Sequence, residues 1–360
     1  MKKQLLLWVF AGCTFGQAQV VRKYSNEFLN LGAGARGLAM GGAVISNQND
    51  VYAPMWNPAG LNGIETDWQG AAMHAEYFES IAKYDYIAYA KPLDYNGGVF
   101  AISIVRLGVD DILNTTQMID SEGNIDYDKI TKFSQADYAG IFSFAFHPGG
   151  NQKLDAGVNA KLVYRNVGQF ANGFGFGFDL GAIYHSDSGW NYGGMLRDAT
   201  TTVNFWTVNQ DKLSTVVNGE EFNPAPVNKM ELTMPKLNVG ASRIFELSKD
   251  LSLLPEAGIN VDFAKTAALI STDFASITPY AGAEIAFQDM IFIRLGVNRF
   301  QNVTDIENLK RNISFQPSAG IGIKYKGLTV DYALTNSGVN GSNFFSNFFS
   351  LKLDMAPFRN

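Results

Sequence analysis

The sequence predicts an all-β fold: a transmembrane antiparallel up-and-down β-barrel of about 14 strands, with an N-terminal hatch or plug segment. Three observations predict it. Beyond about residue 65, apolar and polar side chains alternate with period two, the pattern of strands with one oily and one wet face. The connections alternate between short and long, as turns and loops at the two rims of an outer-membrane barrel do. Finally, 17% of the 360 residues are charged, 13% are aromatic and 36 are glycine, while mean hydropathy is −0.04. A chain poor in charge yet not hydrophobic on average must interleave its two kinds of residue.

Taken in order, Met1 to Gln19 combines Lys2 and Lys3, an apolar run from Leu5 to Ala11 and Gly16-Gln17-Ala18, the layout of a secretory signal peptide cut near Ala18 or Gln19. Residues 1–19 are therefore expected to be a signal peptide, 20–66 the hatch segment and 67–360 the outer-membrane barrel. Cys13 is the only cysteine, and Phe10-Ala11-Gly12 before it is a poor version of the box that directs bacterial lipidation. Cleavage after Ala18 removes Cys13, and with it disulfides, thiolate metal sites and cysteine nucleophiles. No later apolar run approaches the roughly 20 residues of a spanning helix. The net charge of −6 and pI near 5.2 argue against nucleic acid as a partner.

Clear strands are expected at Ala136 to Phe146, Lys153 to Arg165, Phe174 to His185, Leu251 to Phe263, Ile277 to Phe287, Ile291 to Arg299, Pro317 to Tyr325, Leu328 to Leu334 and Phe349 to Met355. Weaker ones fall at Trp68 to Tyr77, Tyr84 to Ala90, Val99 to Leu107, Tyr192 to Arg197 and Leu237 to Ile244. Many approach the 9–11 residues that cross a bilayer at a tilt. Short turns such as Ser186 to Gly189 and Lys326-Gly327 contrast with long loops at Gly108 to Ser134, Asp198 to Pro235, Lys265 to Ser276, Gln301 to Asn312 and Thr335 to Asn343. A soluble sandwich with Greek-key crossings has no reason to alternate in this way. The last strand leads to Phe358 in the manner of a barrel-assembly signal.

Phe28 to Leu61 breaks the alternation and so belongs elsewhere than the wall. Gly32, Gly34, Gly37, Gly41 and Gly42, interleaved with alanines, suit close backbone-to-backbone packing of a plug in a narrow lumen. Gly175, Gly177 and Gly181 are expected to face it. In the stretch Trp56, Asn57, Pro58, Ala59, Gly60, Asn57 caps a turn that Pro58 enters with φ already set. The pentapeptide is expected to hinge the hatch to the first strand, with Trp56 wedged into the lumen or the periplasmic mouth.

"EFLNLGAGARGLAMGGAVISNQNDVYAPMWNPAGL", Glu27 to Leu61, resembles the N-terminal signature of the PorV/PorQ family of Bacteroidota outer-membrane proteins, within the FadL-like superfamily of fourteen-stranded barrels. The resemblance implies a barrel closed by a hatch bearing the Asn-Pro-Ala element at Asn57, Pro58 and Ala59. It also implies an accessory role, since some members look like partner barrels of the type IX secretion system that carry or anchor secreted cargo.

Other chemistries are weakly supported. Gly32 to Gly37 fits the dinucleotide fingerprint, but no strand precedes it and no βαβ unit surrounds it. His74, His147 and His185 lack a nucleophile and orienting acid at recognisable spacing. Asp110, Asp111, Asp120, Glu122, Asp126 and Asp128 make the first long loop acidic without the spacing of a calcium loop. No enzyme activity, metal or cofactor is expected. By alternation Asp155, Asn159, Lys161, Arg165, Asp179, Glu256, Asp262, Glu284 and Arg294 face inward, making an interior that resembles a wall more than an open channel. Two functions follow. One is a non-enzymatic accessory subunit that uses its extracellular loops to hold a larger outer-membrane complex or a secreted protein. The other is a FadL-type transporter of hydrophobic small molecules through a gated hatch. In both, the surrounding partner is outer-membrane lipid.

Overall fold

The computed structural model describes residues 25–93, 97–217, 219–222, 230–304, 311–336 and 344–355. The expected signal peptide, Cys13 and Phe358 lie outside them. From Trp68 onward the chain runs β1 (Trp68–Tyr77), β2 (Ala82–Pro92), β3 (Val99–Asn114), β4 (Thr131–Phe146), β5 (Leu154–Val167), β6 (Ala171–His185), β7 (Trp190–Arg197) and β8 (Thr202–Val208). The hairpin of β9 (Thr215–Val217) and β10 (Glu220–Phe222) stands apart from the wall. Then come β11 (Met230–Thr233), β12 (Lys236–Arg243), the short β13 (Phe245–Glu246), β14 (Leu251–Asp262), the short β15 (Ile270–Ser271), β16 (Ser276–Phe287), β17 (Ile291–Thr304), β18 (Arg311–Tyr325), β19 (Leu328–Asn336) and β20 (Phe345–Met355).

Each neighbour pair is antiparallel, and β1 returns to β20, with Trp68 opposite Met355 and Glu76 opposite Asn347. The result is a closed 14-strand barrel, with β7 and β8 as two pieces of one wall strand and β11 and β12 as two pieces of the next. Closure leaves no edge, which matters where no water can satisfy backbone groups. Outward-facing Ile87, Ile104, Phe142, Leu162, Phe174, Phe176, Phe178, Leu180, Ile293, Leu295, Ile321, Ile323 and Leu351 are all exposed. A belt of this kind is stable only against hydrocarbon. No helix among the described residues is long and apolar enough to cross a membrane.

The strands extend further than alternation indicates, and the reason is a change of phase. In β7 the inward residues are Gly193, Met195 and Arg197, whereas in β8 they are Thr202 and Asn204. Between them Asp198 and Thr201 adopt positive φ of 50° and 63°, so odd positions give way to even ones. Asp198 to Pro235 is thus a strand pair, β8 with β11, plus a smaller excursion. The same device shortens the expected loop at Gly108 to Ser134. A bulge between Val109 and Ile112, with Asp111 at φ 58°, resets the register, and β3 and β4 stay paired out to Asn114 and Thr131. A second bulge, between Asn298 and Gln301, carries β17 past the expected end to Thr304.

Residues 25–67 lie inside the cylinder as short turns and helices, among them Glu27–Asn30, Ala35–Ala39, Ala53–Trp56 and Pro58–Gly63. Almost every residue from Gly32 to Leu61 is buried or nearly so, although this stretch has no sheet pairing of its own.

Placing arginine at Phe176, in the middle of the outward belt, should destabilise the barrel by about 2–4 kcal/mol in bilayers. Urea unfolding read by the heat-modifiable gel shift checks this, and a shift no larger than for an inward-facing polar exchange counts against the lipid-facing register.

Candidate functional site: the hatch and the cavity above it

The hatch is seated by buried charge. Arg36 is the only basic residue from Ser25 to Leu61. Its Nε lies 2.9 Å from Glu284 Oε2, and Arg294 Nε donates to the same oxygen at 2.5 Å. Arg294 Nη1 continues to Asp331 at 2.6 Å, so one hatch cation closes a four-member chain across β16, β17 and β19. Burial lowers the pKa of the Arg36 guanidinium, but the Glu284 carboxylate beside it raises it further, and the net direction is upward.

A second anchor is Glu256 on β14. It accepts from the Ile45 backbone N–H at 2.6 Å, from Ser46 Oγ at 2.6 Å and from Asn47 Nδ2 at 2.7 Å, while Ser46 Oγ, its one proton given to Glu256, accepts from Ser242 Oγ at 2.7 Å. The third anchor is Asp50, 3.1 Å from Lys352 Nζ. Burial pushes the Asp50 carboxyl upward, but Lys352, the Tyr52 N–H, Arg36 and Gln48 together hold it below its ordinary 3.8.

Asn57 is completely buried and pinned. Its Oδ1 accepts from Ala59 N at 3.2 Å, and its Nδ2 donates to Ile45 O at 2.9 Å and to Ala182 O on β6 at 3.1 Å. The stretch expected to hinge is therefore fastened to the wall. Pro58 and Ala59 press their backbone on Gly157, the Pro58 ring sits over Gly181, and Gly60 packs on the Gln48 carbonyl. No side chain fits at Gly157 or Gly60 without moving backbone. Trp56 lies in the lumen, its Nε1 donating to Ala33 O at 2.7 Å.

Four of the five hatch glycines do something other than the expected backbone-to-backbone packing. Gly32, Gly37 and Gly42 make room for the Trp56 ring, and Gly34 for the Tyr52 ring. Only Gly41 meets wall backbone, at Gly296 and Val297. Gly32, Gly34, Gly41 and Gly42 also carry positive φ, a region that glycine enters without strain. Among the wall glycines expected opposite, Gly181 touches the hatch, but Gly175 and Gly177 face Asn204 and Thr202. The phase change before β8 turns those two side chains inward over them. Gly193, Gly282, Gly296 and Gly320 meet the hatch instead.

The other inward residues join smaller clusters. Lys161 bridges Asp179 and Asp198, each at 2.6 Å, so its charge ties β5 and β6 to the interruption between β7 and β8. Asn159 links Asp179 to the Pro54 carbonyl. Arg165 pairs with Asp137 at 3.0 Å and stands over the Trp206 ring. Asp155, on the short-turn side, meets Asn62 of the hatch as well as His147 and His185, at 2.9 and 2.7 Å. Asp262 lies 3.4 Å from Lys236. Among the described residues no cluster of histidine, cysteine and carboxylate is arranged to hold a metal.

Several of these residues escape a reading by alternation. Arg36, Ser46 and Asp50 sit in aperiodic chain, and Asp198 sits in the interruption between β7 and β8. The available signal was a lone cation in a glycine-rich, nearly uncharged segment.

On the long-loop side of the hatch lies a cavity of about 520 Å³. Leu31, Leu38, Ile45 and Trp56 of the hatch form its base. Tyr77, Tyr280 and Phe348 of the wall add aromatic surface, while Asn238, Asn260, Asn298, Ser318 and Thr335 add polar groups. Arg197 reaches under it to the carbonyls of Leu29 and Met55. The volume lies within the range of small-molecule sites.

No protein-family model matches the chain, and no curated protein does either. Solved structures do share its fold. The Ralstonia pickettii toluene transporter TbuX aligns with a TM-score of 0.56 at 14% identity, over 90% of this chain and 98% of that one. The Pseudomonas putida toluene transporter TodX gives 0.57 at 13%, over 90% and 99%. A Pseudomonas aeruginosa FadL homologue gives 0.51 at 10%, over 89% and 98%.

Removing the carboxylate in Glu284→Ala leaves Arg36 and Arg294 buried without their shared partner, and should cost about 3–5 kcal/mol. Faster proteolysis within residues 25–67, with the barrel still heat-modifiable, checks it. The Asp50 contribution has a defined sign. A carboxyl whose folded value is depressed stabilises above its ordinary value and loses that contribution as pH falls through the lower one. Trp56 fluorescence should therefore report hatch loosening on acidification below about pH 4, with a smaller change in Asp50→Asn, which starts already loosened.

The closed ring of strands, its hydrocarbon-facing belt and the shared architecture together make this chain a multi-pass β-barrel of the bacterial outer membrane, with the fold of the FadL-like barrels.

Proposed function

We propose that the protein is an outer-membrane transporter for small molecules with a hydrophobic part, admitted from outside into the cavity above the hatch. The observation that carries this reading is the cavity itself, with Trp56, Leu38 and Ile45 as its apolar base. The base belongs to the hatch, so an occupant touches the element that would have to shift for passage. The structures of like fold are described as toluene transporters and a monoaromatic hydrocarbon channel, which supports the reading by analogy of fold.

A second reading is an accessory subunit that grips a larger outer-membrane complex or a secreted protein. It is supported by the sequence from Glu27 to Leu61 and by exposed apolar side chains in the long connections, such as Ile125, Tyr127, Val216 and Phe274.

The two separate experimentally. Filling the cavity with Asn260→Trp should reduce uptake of small aromatic solutes by cells carrying the barrel roughly tenfold, about 1.4 kcal/mol. Unchanged uptake in that variant, together with a stoichiometric protein partner after mild extraction, would favour the accessory role.

A further inference from the structure

The cavity pairs an aromatic base with walls rich in carboxamides. Trp56, Tyr77 and Phe348 supply the apolar surface. Asn30, Asn238, Asn260, Asn298, Gln301 and Gln316 also line it. A pure hydrocarbon is a poor match for such walls, because it displaces water from polar groups without replacing the hydrogen bonds. A carboxylate is a poor match as well, because it needs an uncommitted cation facing it. Lys236 is held by Glu27 at 3.0 Å and by Asp262 at 3.4 Å. Arg197 gives Nη1 and Nη2 to the carbonyls of Leu29 and Met55. Arg299 also lines the cavity, but it is exposed on the bulge of β17, where water weakens its hold on an anion.

Asn298 makes the match more specific. Its Nδ2 donates to the Gly41 carbonyl at 2.9 Å, and since a carbonyl can only accept, the amide orientation is fixed. Its Oδ1 is then an acceptor, buried and without a donor among the described residues. Asn298 lines the cavity, and a small turn of its side chain would bring this oxygen within reach of a ligand O–H or N–H.

We infer that the cavity selects a neutral amphiphile. An apolar ring or short chain sits on Trp56, Tyr77 and Phe348, and an uncharged hydroxyl- or amide-bearing head turns to the carboxamides and donates to Asn298 Oδ1. The inference names the substrate class of the proposed transporter and rests on that reading only for what happens after binding.

The test uses the full-length barrel in lipid nanodiscs for binding and in proteoliposomes for flux, with three probes that share one phenyl ring and differ in the group it bears: phenyl β-D-glucoside, toluene and phenylacetate. Binding is followed by tryptophan fluorescence, with Trp56→Phe as the blank. Phenyl β-D-glucoside should bind at least about tenfold more tightly than the other two, equivalent to about 1.4 kcal/mol. Asn298→Leu should erase most of that preference. Asn260→Ala serves as a second variant should Asn298→Leu lose its heat-modifiable mobility, and it should weaken the glucoside more than toluene. Equal or tighter binding of toluene or phenylacetate, or no binding of any probe, overturns the neutral-head inference. Selective binding of the glucoside without flux keeps that inference and overturns the transporter reading, so the two failures are distinguishable.

Discussion

In hydrocarbon no water is available to a backbone N–H or C=O, and the rest of this structure depends on that constraint. It forces the sheet to close through the β1–β20 seam, and closure creates an inside. Period-two geometry then sends every second side chain into a confined space, where charge survives only in company. Lys161 between two aspartates and Arg294 between Glu284 and Asp331 are what that space demands.

The hatch answers the same constraint from the other side. A lumen of this bore must be filled or flooded, and a segment filling it must satisfy its own backbone without a sheet. It does so by short turns, by side chains such as Trp56 and Asn57 bonded to hatch carbonyls, and by wall groups such as Glu256 accepting hatch N–H. Its glycines serve chiefly to seat two large rings. Trp56 both fills the space over Gly32, Gly37 and Gly42 and forms part of the base of the cavity. Stability of the plug and the shape of the site therefore share a residue.

Much of the wall is legible in the sequence, because one period governs it. From Leu154 to Tyr164 and from Phe174 to Tyr184 the inward and outward faces follow directly from alternation. Legibility fails where the phase changes. At Asp198 to Thr201 and at Asp110 to Asp111 a positive-φ residue swaps the faces, so true strand looks like loop. In the hatch no period exists at all, and partners are set by three-dimensional proximity: nothing local to Arg36 points to Glu284, 248 residues away. The cavity is hidden for the same reason, since its base and walls come from distant segments.

The central claim is that residues 25–67 are seated in the lumen by contacts to the wall. Ser46 and Ser242 bring hatch and β12 within 2.7 Å at their Oγ atoms, and both are buried, so cysteines at these positions test the seat most directly. The account predicts that Ser46→Cys with Ser242→Cys forms a disulfide in the assembled barrel, slowing release of the hatch on partial denaturation until reductant is added. Two thiols that stay reduced under oxidising conditions and alkylate freely in the folded barrel would contradict it.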